Sequence, residues 1–103
     1  MGSEMCIRDR GYQAARECAV IILGALKDTL GTLDKIERLV KAFALVNCGE
    51  KFTEVDKVMD GFSDTMAEVL EERGYHARTV MGTRNLPNGN IPVEVEVIVK
   101  VAD

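Results

Sequence analysis

The sequence predicts an α+β domain, and three observations predict it. A long amphipathic segment from Thr53 to Arg73 carries one continuous apolar stripe at helical spacing. The segment Ile91–Val101 alternates valine with polar residues at the two-residue period of a strand. Between and before them the elements change type, giving the order helix, strand, helix, strand, strand. The chain has 103 residues, enough for at most one domain.

The first helix is expected over Gly11–Leu30. Ala15, Cys18, Ala19, Ile22, Leu23, Leu26 and Leu30 share one face, and Gly31 is placed to end it. The β-branched run Val20-Ile21-Ile22 suggests that this helix is well covered. Leu33-Asp34-Lys35 reads as a turn, followed by a strand over roughly the second half of Lys35–Cys48. Lys41-Ala42-Phe43-Ala44-Leu45 fits a helix as well.

The second helix should be capped by Thr53, with Asp56 three residues on as in a capping box. Val55, Val58, Met59, Phe62, Met66, Val69 and Leu70 form its buried stripe, and Gly74 supplies a left-handed terminal residue. The acidic residues opposite the stripe read as a solvated face. Ala77–Thr83 is a strand, Leu86-Pro87-Asn88-Gly89-Asn90 a turn, and Pro92 sits at a strand start where its missing N–H is tolerated.

Charge and composition exclude several classes. A net charge of −4, with 5% aromatic residues, offers no strong nucleic-acid surface. No apolar run is long enough to span a bilayer, and no signal-peptide pattern is present. Cys6, Cys18 and Cys48 lack metal-ligand spacing and read as reduced thiols of a cytoplasmic protein. No nucleophile–base pair stands out: Ser63 is mid-helix, and the lone His76 reads as a surface or helix-terminus histidine. Arg78, Glu94 and Glu96 remain as charges on strands. Such charges either face solvent or line a cleft, and on the residues alone the solvated face is the simpler reading.

His76-Ala77-Arg78-Thr79, then Leu86-Pro87, then Pro92-Val93-Glu94-Val95-Glu96-Val97-Ile98 resembles the signature of the RidA (YjgF) family. The opening Gly11-Tyr12-Gln13-Ala14-Ala15-Arg16 is similar to its YjgF/chorismate-mutase-like branch, whose name carries an endoribonuclease assignment. The resemblance covers Gly11–Asp103. It implies a mixed β-sheet with two helices packed on one face, and a homotrimer with clefts at subunit boundaries. It also implies hydrolysis of 2-imino acids or enamines to a 2-keto acid and ammonia, without cofactor or metal. By the same resemblance Arg78 clamps a substrate carboxylate with help from the backbone N–H of Val80, and Glu94 positions or activates water. A turn one residue longer than the family pattern leaves Glu94 and Glu96 as alternatives for that role. A non-catalytic trimer that binds small carboxylates is the competing expectation, and ribonuclease activity the third.

Met1–Arg10, MGSEMCIRDR, reads as the translated end of a sequencing adaptor, GTG GGC TCG GAG ATG TGT ATA AGA GAC AG, with the last codon completed by a purine. That reading divides the chain into a non-native segment 1–10 and the C-terminal portion of a RidA-like domain, 11–103. It expects the family's N-terminal strands, which supply sheet edge and cleft residues, to be missing.

Overall fold

The computed structural model describes the backbone of residues 4–103 and the side chains from residue 8 onward. Five main elements follow in order: α1 (Glu4–Leu30), β1 (Ile36–Asn47), α2 (Val55–Leu70), β2 (Ala77–Thr83) and β3 (Val93–Val101). The sheet is three-stranded and mixed, in the order β2-β1-β3. β1 runs parallel to β2 and antiparallel to β3. Both helices pack on one face of it, so the α+β architecture expected from the sequence is the one observed.

The core lies between that face and the helices. Ala15, Ala19 and Leu23 from α1 meet Val58, Met59, Phe62, Met66 and Leu70 from α2 and Ile36, Leu39, Ala42, Ala44 and Val46 from β1. Register fixes the rest. Val93, Val95 and Val97 pair with Val46, Ala44 and Ala42, so the valine row of β3 faces the helices. Glu94, Glu96 and Ile98 therefore face away from them. Arg78 and Val80 pair with Ala42 and Ala44 and stand on the helix side of edge strand β2.

Several local expectations give way. α1 begins at Glu4 rather than Gly11, so residues 4–10 continue the helix without a break. Arg8 lies 3.6 Å from Glu54. Residues 1–3 and the Cys6 side chain lie outside the described residues. Val20 and Ile21 are exposed rather than covered. β1 spans all of Ile36–Asn47, not half of it, and β-bulges between Ile36 and Arg38 and between Leu39 and Lys41 reset its inward face.

α2 starts at Val55 with Glu54 as N-cap, and no side chain caps it, so Thr53 does not play that part. Val69, expected in the stripe, is exposed. The positive φ after the helix belongs to Glu71 (55°), not to Gly74. Gly74 is required for another reason: a Cβ there would lie 2.4 Å from the carbonyl oxygen of Met66. A short 3₁₀ turn, Glu71–Gly74, then leads to β2. Arg73 in that turn donates to the carbonyls of Leu33 (3.1 Å) and Ile36 (2.7 Å), tying it to the start of β1. Gly31 does end α1, with φ 87° and its N–H 2.7 Å from the carbonyl of Lys27. The Leu86–Asn90 turn is built on positive φ at Asn88, Gly89 and Asn90.

Candidate functional site

Two features bring chemistry to one place. β2 starts immediately after the 3₁₀ turn, so His76 and Arg78, two residues apart, emerge on the same side of the chain. Ser63 lies one residue past Phe62 on α2, at the margin of the buried stripe, and so reaches the edge of the sheet. There it touches both. Ser63 Oγ is 3.1 Å from His76 Nε2 and 3.1 Å from Arg78 Nη1.

The proton positions follow from the partners. His76 Nδ1 lies 2.6 Å from the carbonyl oxygen of Gly74, which can only accept. Nδ1 therefore carries the hydrogen, and in the neutral ring Nε2 accepts the hydroxyl proton of Ser63. Arg78 donates to the Ser63 oxygen. Edge-to-face contact with Phe62, ring centroids 5.6 Å apart, holds the imidazole from the core side.

Arg78 has a second engagement. Its Nη2 lies 2.9 Å from Asp60 Oδ1 and 3.4 Å from the carbonyl oxygen of Asp56. The acidic face of α2 is thus not simply solvated. Asp60 holds Arg78, Asp64 accepts the Tyr12 hydroxyl at 2.8 Å, and Glu68 pairs with Arg16 at 3.2 Å. The Asp64 hydrogen bond is the main reason the Tyr12 phenol is raised above its usual range, followed by partial burial. Hydrogen bonding and charge from Glu68 likewise raise Arg16.

A cavity of about 350 Å³ opens beside this cluster, lined by Ser63, Asp64, Ala67, Tyr75, His76 and Arg78 among others. That is room for a small organic acid. A larger, more open groove lies at the far end of β1, around Asn47, Glu50 and Arg84, away from these groups.

The carboxylates expected as partners of Arg78 are elsewhere. Glu94 pairs with Leu45 and Glu96 with Phe43, both exposed on the outer sheet face. β1 separates them from β2, and they point away from the helix side that carries Arg78. Within one chain, therefore, Arg78 and Glu94 do not share a site. Val80 follows Arg78 on the same side, half-buried, its side chain packed against the core. Nothing local in the sequence marks Ser63 and His76 as a pair. The turn that brings them together lies between a helix and a strand, and their separation is 13 residues.

No family model matches the chain. It is 37% identical over 102 residues to protein TCP17 of Trypanosoma cruzi, an alignment covering 98% of this chain and 62% of that protein. Among solved structures, a protein of unknown function from Agrobacterium tumefaciens superposes with a TM-score of 0.90 at 38% identity, covering 93% of this chain and 61% of that one. A Shewanella oneidensis protein, named as a candidate endoribonuclease, superposes with a TM-score of 0.87 at 26% identity, covering 91% and 62%. The chain thus spans about three-fifths of the length of the relatives it matches. Among the described residues no helix is long and apolar enough to cross a membrane. The chain shares its fold with these solved proteins and its sequence with a trypanosomal relative.

Proposed function

We propose that the chain is part of a RidA (YjgF) family protein, and that the whole protein hydrolyses 2-imino acids or enamines to 2-keto acids and ammonia. The observation that carries this reading is the guanidinium of Arg78 at the mouth of a small cavity, with a proton-transfer pair beside it. A planar fork of donors suits a carboxylate. The backbone N–H of Val80 is the second group offered to that carboxylate. Because Glu94 faces away from Arg78, a cleft holding both takes its Glu94 from another copy, as a homotrimer would provide.

Binding of a small carboxylate without chemistry is the alternative, and it needs only Arg78. The endoribonuclease reading draws on the name of the Shewanella protein. The net charge of −4 speaks against a strong RNA surface here. Calorimetry with pyruvate on the wild type and Arg78→Lys separates these readings from an inert site. The lysine keeps the charge but loses the fork, so affinity should fall by about 1–3 kcal/mol. Equal affinities for the two proteins would remove the clamp.

A further inference from the structure

We propose that His76, acting through the Ser63 hydroxyl, is the proton acceptor of the Arg78 cavity. The inference rests on the reading that this cavity takes a 2-imino acid, and it deepens that reading by naming the base. In a single chain, His76 is the proton-accepting side chain bonded into the Arg78 cluster and free of an ionic partner there. Asp60 is bound to Arg78, and within one chain Glu94 is on the opposite side of the sheet, so a Glu94 brought by another copy positions the water while His76 takes its proton.

The hydrogen-bond inventory points the same way. A serine hydroxyl has one hydrogen and two lone pairs. In Ser63 the hydrogen goes to His76 Nε2 and one lone pair accepts from Arg78. One lone pair is left, and it can receive a hydrogen from a water in the cavity. Nucleophile, relay and base then lie in sequence, and the base is oriented by a third group, the Gly74 carbonyl at 2.6 Å.

The water oxygen attacks the carbon of the protonated imine, C=NH2⁺, and the C=N π pair moves to nitrogen, leaving a neutral amino group. The departing water proton passes to Ser63 Oγ as the Ser63 proton passes to His76 Nε2. The resulting imidazolium returns a proton by the same path to the amino nitrogen. The carbinolamine hydroxyl then loses its proton to solvent, its oxygen forms C=O, and the C–N bond breaks to release ammonia. The charged groups around the base are Arg78 from β2 and Asp60 and Asp64 from α2.

The test uses the whole protein of which this chain is part, with two probes. One is pyruvate binding by calorimetry; the other is ammonia release above the spontaneous rate from a 2-imino acid generated in situ by an amino-acid oxidase. His76→Asn retains a donor for the Gly74 carbonyl but no base. It should keep pyruvate affinity within about twofold while kcat falls by about 10²-fold or more. Ser63→Ala keeps the imidazole but breaks the relay, and should show the same split between binding and kcat. If both variants fold and turn over within threefold of the wild type, His76 is not the base. Wild-type protein that binds pyruvate but releases no ammonia also overturns the proposal. Wild-type protein that binds no pyruvate overturns it together with the carboxylate reading, and the calorimetry identifies which failed first.

Discussion

Gly61 on α2 lies directly against the backbone of Tyr12 on α1: a Cβ on Gly61 would be 2.1 Å from the Tyr12 carbonyl oxygen. The two helices cross here at backbone contact. Below them Val58 meets Gly11 in the same way, where a Cβ would lie 2.6 Å from a Val58 methyl. The helix pair that covers the sheet therefore depends on an absent side chain at the crossing.

Gly61→Ala should cost stability on the scale of overpacking, about 1–3 kcal/mol or more, because the obstacle is backbone. Gly24, also in α1, has open space around its Cβ position. Gly24→Ala should instead stabilise by about 0.4–1 kcal/mol through helix propensity and a less free unfolded chain. Urea denaturation of the two variants checks the contrast, and equal effects would show that the crossing is not tight.

Asp60 competes with any carboxylate for Arg78. Asp60→Asn should therefore raise pyruvate affinity, by roughly two- to fivefold, the worth of a partly exposed ion pair. Unchanged or weaker binding in calorimetry would mean that Asp60 organises Arg78 rather than occupying it.

Alkaline pH should destabilise the fold. Burial raises the Cys18 thiol, and the bond to Asp64 raises the Tyr12 phenol. For both, the folded state holds its proton more tightly than the unfolded chain does. Their contribution is fully present below the unfolded values, about 8.5 for cysteine and 10 for tyrosine, and is lost as pH rises through the folded ones. Thermal midpoints should decline above about pH 9. The decline should be shallower in Tyr12→Phe, and an identical slope would exclude Tyr12 as a contributor.

The outer sheet face carries Met81 and Ile98, 52% and 60% exposed, with Phe43 and Leu45 between them. A sheet face with such apolar residues beside Glu94 and Glu96, and with β2 and β3 as open edges, recruits other chains. The chain alone should associate without a defined stoichiometry in size exclusion with light scattering. Ile98→Lys should shift it toward smaller species. A monodisperse trimer or monomer from the unaltered chain would defeat this expectation.

The sequence revealed most of what one-dimensional periodicity can carry. The stripe of α2, Val69 apart, and the valines of β3 from Val93 to Val99 face the core as read. Half of β1 escapes the two-residue period for a physical reason. Its bulges place Ile36, Leu39 and Ala42 inward at steps of three, which imitates a helix, before true alternation begins at Ala42, Ala44 and Val46. The cap is not legible because Thr53 has good cap chemistry at a position the backbone does not use. The site was legible only in part. Arg78 stood out as a charge on a short strand. Ser63 and His76 become a pair only once the 3₁₀ turn folds β2 back beside α2, and no local spacing announces that.

The side-chain amide of Asn47, at the end of β1, donates to the side-chain oxygen of Asn90 at 2.8 Å and to the carbonyls of Asn90 and Ile91 at 3.3 Å each. The same Asn90 oxygen accepts the N–H of Leu86 at 2.7 Å. This clasp divides the connection between β2 and β3 into two regions with different tolerance to change. Residues inserted before Leu86 lengthen a loop and leave β3 where it is. A single residue inserted after Asn90 displaces the strand by one step against β1. Strand side chains alternate, so that one step turns the inward valines out and the glutamates into the core. In lineages that vary this loop, length should drift upstream of the clasp and stay fixed downstream of it.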